Sequence, residues 1–264
     1  MPSYRAKAII LKSYKLGESD KIIKMYSQKD GIISAVARGS RKIKSKFGGR
    51  LELFNFVDLE LATGRNLDII TQAEIIKSFK NIPLDFNKFI LCQIISEVIL
   101  KTHLSGPEAS PLLFKLVYVC YNEIDSMPVG DIYLIEKIGA FFIAKFLKIT
   151  GYSPLITSCC KCGVSIGLDN LFFSIRLGGI LCRSCGQKVE NTPDLKKTLS
   201  DQGHELLYYM FNYNLKKFRE LQIDPIILND IYKLIGDYMK YHTECDVDVY
   251  TYINKVVNIN KEVN

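Results

Sequence analysis

No stretch of this 264-residue chain approaches the ~20 uncharged apolar residues that a membrane-spanning helix requires. The most apolar run, Ile138–Ala144, lasts seven residues and ends at Lys145. The amino terminus, MPSYRAKAII, holds only a short apolar stretch before Lys12 and does not read as a secretory signal. These absences point to a cytoplasmic protein with no membrane partner, in a compartment where structural disulfides are not expected. Catalytic signatures are missing too. There is no GxxxxGK[ST] phosphate loop, no GxSxG and no HExxH. The three histidines, His103, His204 and His242, are dispersed over helical segments and read as surface or core residues, not general bases. Nothing in the pattern suggests the carboxylate cluster of a two-metal nuclease. No recognition-helix pattern stands out, so sequence-specific base readout is not expected. The chain therefore reads as non-enzymatic, and it contains no internal repeat or low-complexity linker.

What is present is unevenly spread. Hydrophobic residues make up 48 % of the chain, enough for a sizeable core. Residues 1–80 hold 16 Lys and Arg against 8 Asp and Glu, while the remainder holds 19 against 20, so all of the net charge of +7 comes from the first third. Such an asymmetry suggests a module facing an anion, of which nucleic acid is the commonest large one.

The first eighty residues read as strands: Tyr4–Lys12, Asp20–Ser27, Ile32–Arg38, the alternating run Leu51–Leu61, and Leu67–Ile76. Five strands with short turns fit a small closed barrel, either an oligonucleotide-binding fold or an SH3-like barrel. After Pro83 the period becomes helical, with segments at Phe89–Ile99, Leu112–Ile124, Ile132–Ile149, Asp194–Leu221 and Asp224–His242. The fold class expected is α+β and multidomain. Residues 1–80 form the barrel and 81–250 a helical domain carrying a cysteine insertion at 151–190. Residues 251–264 form a tail.

The insertion has the spacing Cys159-x2-Cys162-x19-Cys182-x2-Cys185. Two residues between cysteines let both sulfurs converge on one tetrahedral ion, and two such pairs point to a four-cysteine zinc site. All positions are filled by thiolates, so the ion would be structural, one per chain. Gly163 and Gly186 follow the pairs and would supply the positive φ of tight knuckles, and FFSIRLGGILC reads as a hairpin turning at Gly178–Gly179. An iron–sulfur cluster or a redox pair are the competing readings. Cys160 reads as a spare thiol, and Cys92, Cys120 and Cys245 as small core residues on helical segments.

The segment Arg38–Arg50 carries Arg38, Arg41, Lys42, Lys44, Lys46 and Arg50 and no acid. A glycine-rich basic loop of this kind can track a phosphate backbone, and six contacts to single-stranded DNA would give a log–log salt slope of roughly −4. Phe47 reads either as a base-stacking ring or as a residue tucked against the barrel. A zinc-ribbon nucleic-acid-binding factor of transcription or translation is the rival reading.

With these parts in order, the chain resembles the RecO family of bacterial DNA repair proteins. The matching stretches are YRAKAIILKSYKLGESDKIIKMYSQKDGIISAVARGSRK, LELFNFVDLEL with LDIITQAEII, GYSPLITSCCKCG and FFSIRLGGILCRSCG. The resemblance implies an oligonucleotide-binding barrel followed by a helical domain with an embedded zinc site. It also implies a recombination mediator acting at the nucleoid. Such a protein binds single- and double-stranded DNA, anneals complementary strands and contacts the acidic tail of single-strand-binding protein (SSB). It works with RecR to load RecA onto SSB-coated strands. Arg38–Arg50 matches the family's loop after the third strand, and the four cysteines match its zinc pattern, which not every member keeps.

Overall fold

The computed structural model describes residues 2–102, 110–167, 171–189, 196–243, 245 and 247. His103, Asp194 and the tail 251–264 lie outside the described residues. The chain divides into two compact units, Met1–Val129 and Gly130–Asn264.

In the first unit, two-residue alternation builds five strands: β1 (Ser3–Leu16), β2 (Asp20–Ser27), β3 (Gly31–Ala37), β4 (Phe56–Ala62) and β5 (Asp68–Lys77). They close in the order β1-β2-β3-β5-β4. Tight turns join β1 to β2 and β2 to β3, and β4 returns antiparallel to β1, which is a Greek key. A parallel seam closes the barrel, with Ala35 opposite Asp68 and Val36 opposite Ile69. This closure is that of the oligonucleotide-binding barrel and removes the SH3-like alternative. The long connection that a Greek key demands is the stretch between Ala37 and Phe56, which contains the basic segment.

The barrel interior is filled by Ala8, Ile10, Ile23, Met25, Val57, Leu59 and Leu61, and by Phe47 and Leu51 from the crossover. A register shift between Ile10 and Lys12 inserts Leu11 as an extra residue, so Ile9, Ile10 and Leu11 are all buried. The strand expected from Leu51 begins only at Phe56. Gly48–Leu51 is a 3-10 turn, and Phe54 takes φ 69°, a left-handed conformation that ends any extended run. The strain there is offset by placement. The Phe54 ring meets Phe89 and Tyr121 edge-on, each at 5.4 Å between centroids, in an aromatic layer that also joins Phe56 to Phe114 at 5.5 Å. Phe89 lies on α1 (Phe86–Lys101), and Phe114 and Tyr121 on α2 (Pro111–Ser126), so these two helices cover one outer face of the barrel.

The second unit is organised around α3 (Ile132–Ile149), in which 13 of 18 residues are buried. Against it pack α5 (Asp201–Asn212), α6 (Leu215–Glu220) and α7 (Pro225–Thr243). Between α3 and α5 lie β6 (Leu171–Ser174), β7 (Gly179–Leu181), α4 (Arg183–Lys188) and β8 (Lys196–Leu199), the strands forming a sheet in the order β7-β6-β8. One continuous helix over Asp194–Leu221 is therefore corrected. Lys196–Leu199 pairs with β6, and the helical remainder breaks at Asn214, whose side chain accepts from Lys217 N and starts a new helix.

Helix starts follow the same capping chemistry at Asp85, Ser110, Asp131 and Ser200. Helix ends use lysine. Lys88 Nζ donates to Met127 O at 2.6 Å, beyond the end of α2. Lys137 donates to Arg219 O and Leu221 O, each at 2.7 Å, where α6 stops. Lys145 and Lys148 share Phe211 O at 2.8 and 3.0 Å at the end of α5. Burial, with Lys148 beside it, pulls the Lys145 ammonium down to about 8. These cations close the last helical turns, where carbonyls lack intrahelical donors and the dipole is negative.

Candidate nucleic-acid interface and metal centre

The crossover Arg38–Asn55 is held down at its foot. Asp20 accepts from Gly39 N at 2.8 Å and from Ser19 Oγ at 2.7 Å. The Gly39 amide and the Ser19 hydroxyl hold this carboxyl below its ordinary range, with Arg38 and Lys42 adding a smaller pull. Arg41 Nη1 donates to Gly17 O at 2.9 Å and Glu18 O at 2.8 Å, and its backbone N–H donates to Ser19 O. The basic loop is thus tied to the β1–β2 turn. Further along, Lys46 Nζ donates to Thr71 O at 2.7 Å, and Arg50 Nη1 reaches Lys46 O and Phe47 O.

All six predicted cations are exposed, and none forms an ion pair with a carboxylate among the described residues. They fall into two groups. Arg41, Lys46 and Arg50 hold the loop through carbonyl oxygens. Arg38, Lys42 and Lys44 form no side-chain hydrogen bond among the described residues and leave their charged ends to solvent. A pinned loop carrying exposed cations outside any close ion pair can receive phosphates with little ordering cost.

Phe47 is a correction. Its ring is 2 % exposed and sits in the barrel core, so it is not presented to a base. A loop that crosses the mouth of a barrel must plug it, and the largest apolar side chain in the segment does so. Ile43, flanked by Lys42 and Lys44, is instead the fully exposed apolar residue. Replacing Phe47 by alanine is expected to cost about 3–5 kcal/mol of stability. Denaturant unfolding measures this, and DNA affinity at temperatures where the variant remains folded should be unchanged.

The cysteine insertion is shaped by two different devices. In the first pair, Gly163 N donates to Cys159 O at 2.9 Å, and Gly163 has φ 75°, the knuckle expected. In the second, Cys182 is the residue before α4, and Cys185 lies on that helix. Gly186 does not have positive φ. Glycine is required there because a Cβ would lie 2.1 Å from Cδ2 of Phe172. The hairpin forms, Phe172 opposite Leu181 and Ser174 opposite Gly179, but its turn is residues 175–178, with Gly178 at φ 82° and Gly179 already in β7. Helices hold the insertion by its backbone: His204 Nε2 bonds Ile156 O at 2.9 Å and His242 Nε2 bonds Ile175 O at 2.7 Å.

The result gathers Cys159, Cys162, Cys182 and Cys185, with all four sulfurs within 4.8 Å of one another and those of Cys162 and Cys182 3.8 Å apart. A tetrahedral ion with metal–sulfur bonds of about 2.3 Å separates its ligands by about 3.8 Å. No disulfide forms among the described residues. Burial pushes the Cys159 thiol up, but N–H groups of Cys182, Cys162 and Lys161 aimed at its sulfur outweigh burial and bring it down to about 6. Cys185 goes up to about 12, chiefly through its hydrogen bond with Cys162 and then through burial. Four sulfurs this close cannot all be anionic unless a cation sits among them, and the donor set fits one. Cys160 stays outside the cluster, its N–H donating to Ile180 O. Cys92, Cys120 and Cys245 are fully buried, although Cys245 follows α7 instead of lying within it.

Among the described residues no helix is long and apolar enough to cross a membrane. Comparison with known proteins gives two matches that run in chain order. The family described as Recombination protein O N terminal matches residues 1–79, and Recombination protein O C terminal matches residues 83–247. The chain is similar to the DNA repair protein RecO of Cutibacterium acnes, 34 % identical over 187 residues that cover 70 % of this chain and 75 % of the relative. It is similar to that of Caldanaerobacter subterraneus, 28 % identical over 243 residues, 92 % of this chain and 94 % of the relative. The RecO of Desulforamulus reducens is 29 % identical over 260 residues, 98 % of this chain and 97 % of that protein. Since both matches together run from the barrel through the cysteine cluster to the end of the described helices, the chain belongs to the RecO family of DNA repair and recombination proteins.

Proposed function

We propose that this chain is a recombination mediator that binds single- and double-stranded DNA without sequence specificity and anneals complementary strands. It works with RecR to load RecA onto strands coated by SSB, whose acidic tail it contacts, and it acts at the nucleoid. The observation that carries the reading is the trio Arg38, Lys42 and Lys44, exposed on a pinned crossover and forming no close ion pair among the described residues, with Asp20 the carboxylate that Arg38 and Lys42 feel. Annealing brings two polyanions together. Cations replacing condensed counterions lower that repulsion, and no bond need be made or broken, so the role is non-enzymatic. The contacts expected are with backbone, which suits sequence tolerance.

The cysteine cluster holds one zinc ion in this reading. Four thiolates leave no open position, so Cys159, Cys162, Cys182 and Cys185 would fix the insertion's fold and supply no reaction chemistry.

Strand annealing followed by fluorescence tests the proposal. The protein is expected to speed pairing of naked strands and of SSB-coated strands, and deletion of the SSB tail should remove only the second effect. Failure to accelerate pairing of naked strands overturns it.

A further inference from the structure

With Phe47 inside the barrel, the ring that could meet an unpaired base must be sought elsewhere. Seven aromatic residues lie in the barrel sequence: Tyr4, Tyr14, Tyr26, Phe47, Phe54, Phe56 and Phe79. Five are buried. Tyr4 is half-buried, and its hydroxyl donates to Asp68 at 2.5 Å. Tyr14 alone is exposed, at 40 %. It stands on β1 opposite Ile22 of β2, and Lys12 and Lys24 pair two residues away. Their ammonium groups lie 5.5 and 6.0 Å from the centre of the Tyr14 ring. Lys12 is also bound to Glu97 of α1, which leaves Lys24 as the cation beside the ring without a carboxylate partner among the described residues.

The position of this ring matters as much as its exposure. Tyr14 is three residues before Gly17, on the same hairpin end whose carbonyls at Gly17 and Glu18 receive the Arg41 guanidinium. The hairpin that carries Tyr14 and Lys24 is therefore the one whose end anchors the foot of the basic crossover, where Arg38 and Lys42 lie. An exposed ring among cations is the combination that binds single-stranded nucleic acid, where each base has a free face and each phosphate a charge. A base paired in a duplex has its faces covered and gains nothing from such a ring.

Resting on the proposed loop–phosphate reading, we propose that Tyr14 is a base-stacking platform that adds affinity for unpaired strands to the barrel's binding of phosphate backbones, Lys24 meeting the phosphate beside the stacked base. The ring recognises an unpaired base of any identity, because every base offers a π-face.

The test measures binding of the full chain to three probes of equal length by fluorescence anisotropy: an oligo-dT strand, a duplex, and an abasic sugar–phosphate strand. Tyr14→Ala is expected to weaken oligo-dT binding about tenfold, a change within the range for one stacked base, and to leave the duplex and the abasic strand unchanged. Tyr14→Phe, which keeps the ring, should stay within about twofold of the parent on all three. Circular dichroism checks that the variants fold. Unchanged oligo-dT affinity in Tyr14→Ala overturns the proposal, and so does an equal loss on all three probes, which would mark a disturbed hairpin. The variant R38A/K42A/K44A separates the two readings. Its loss of affinity on all three probes, with Tyr14→Ala unaffected, sinks the stacking platform alone. Its retention of all three affinities overturns the loop reading, and the platform falls with it.

Discussion

Serine at Cys162 and Cys182 is expected to abolish metal binding and unfold the insertion, with a loss of more than about 4 kcal/mol in the stability of the unit Gly130–Asn264. In a unit of this size that loss lowers the melting temperature by roughly 10 °C or more. The reasoning starts from the insertion's poverty of core. Short strands, a one-and-a-half-turn helix and two glycine-dependent turns bury little apolar surface of their own, so metal binding is folding free energy here. The two histidine bonds to Ile156 O and Ile175 O dock the insertion but do not gather its sulfurs. Metal analysis should find one zinc per folded chain, and a strong chelator should reproduce the effect of the serine variant. Hydrogen exchange across the hairpin reports where the structure is lost. DNA affinity should survive, because the cations that carry it are in the other unit. A metal-free protein with an unchanged melting curve would end the structural reading, and a folded, metal-free protein unable to bind DNA would move the ion into the binding site.

The second large effect belongs to the crossover. Alanine at Arg38, Lys42 and Lys44 is expected to make the log–log salt slope of single-strand binding shallower by about 2, since each phosphate contact contributes about 0.7. Extrapolated from 1 M salt, where this contribution vanishes, the same slope means about a hundredfold weaker binding at 0.1 M. All six cations together would give roughly −4, but the loop uses them unequally. Arg41, Lys46 and Arg50 are bonded to carbonyl oxygens. Their removal should also loosen the loop, visible as faster amide exchange from Gly39 to Glu52, whereas removal of the free trio should leave exchange unchanged. An unchanged salt slope in the trio variant would show that phosphates are bound elsewhere.

The cysteine cluster was the most legible part of the chain. Its x2 spacings are set by the bite of a tetrahedral ion, and the hairpin that unites them announces itself through Gly178–Gly179. The crossover was legible in charge and not in detail. Composition counts six cations but cannot tell which are bonded to carbonyls, because Arg41 and Lys46 find theirs at Gly17, Glu18 and Thr71, outside the loop, and Arg50 finds its own only once the loop has turned back on Lys46 and Phe47. The burial of Phe47 and the exposure of Ile43 were hidden for the same reason. An aromatic and an aliphatic residue in one polar loop carry no local signal of which will plug a barrel built from distant strands. Tyr14 went unread because β1 has a bulge at Leu11, which shifts the alternation and hides the outward face. The strand at Lys196–Leu199 was missed because its reason for being a strand is β6, more than twenty residues earlier.

Local physics, then, determined a good deal unaided: extended and helical segments, the four-thiolate set, and a cationic first third. These depend on spacing, side-chain chemistry and charge, all of which are short-range or additive. The strand order of the barrel, the burial of Phe47, the division of six cations into three bonded to carbonyls and three without a side-chain hydrogen bond among the described residues, and the exposure of Tyr14 were decided only by the tertiary structure. Each depends on which distant backbone groups are brought within hydrogen-bonding or packing distance, and that is a property of the assembled chain.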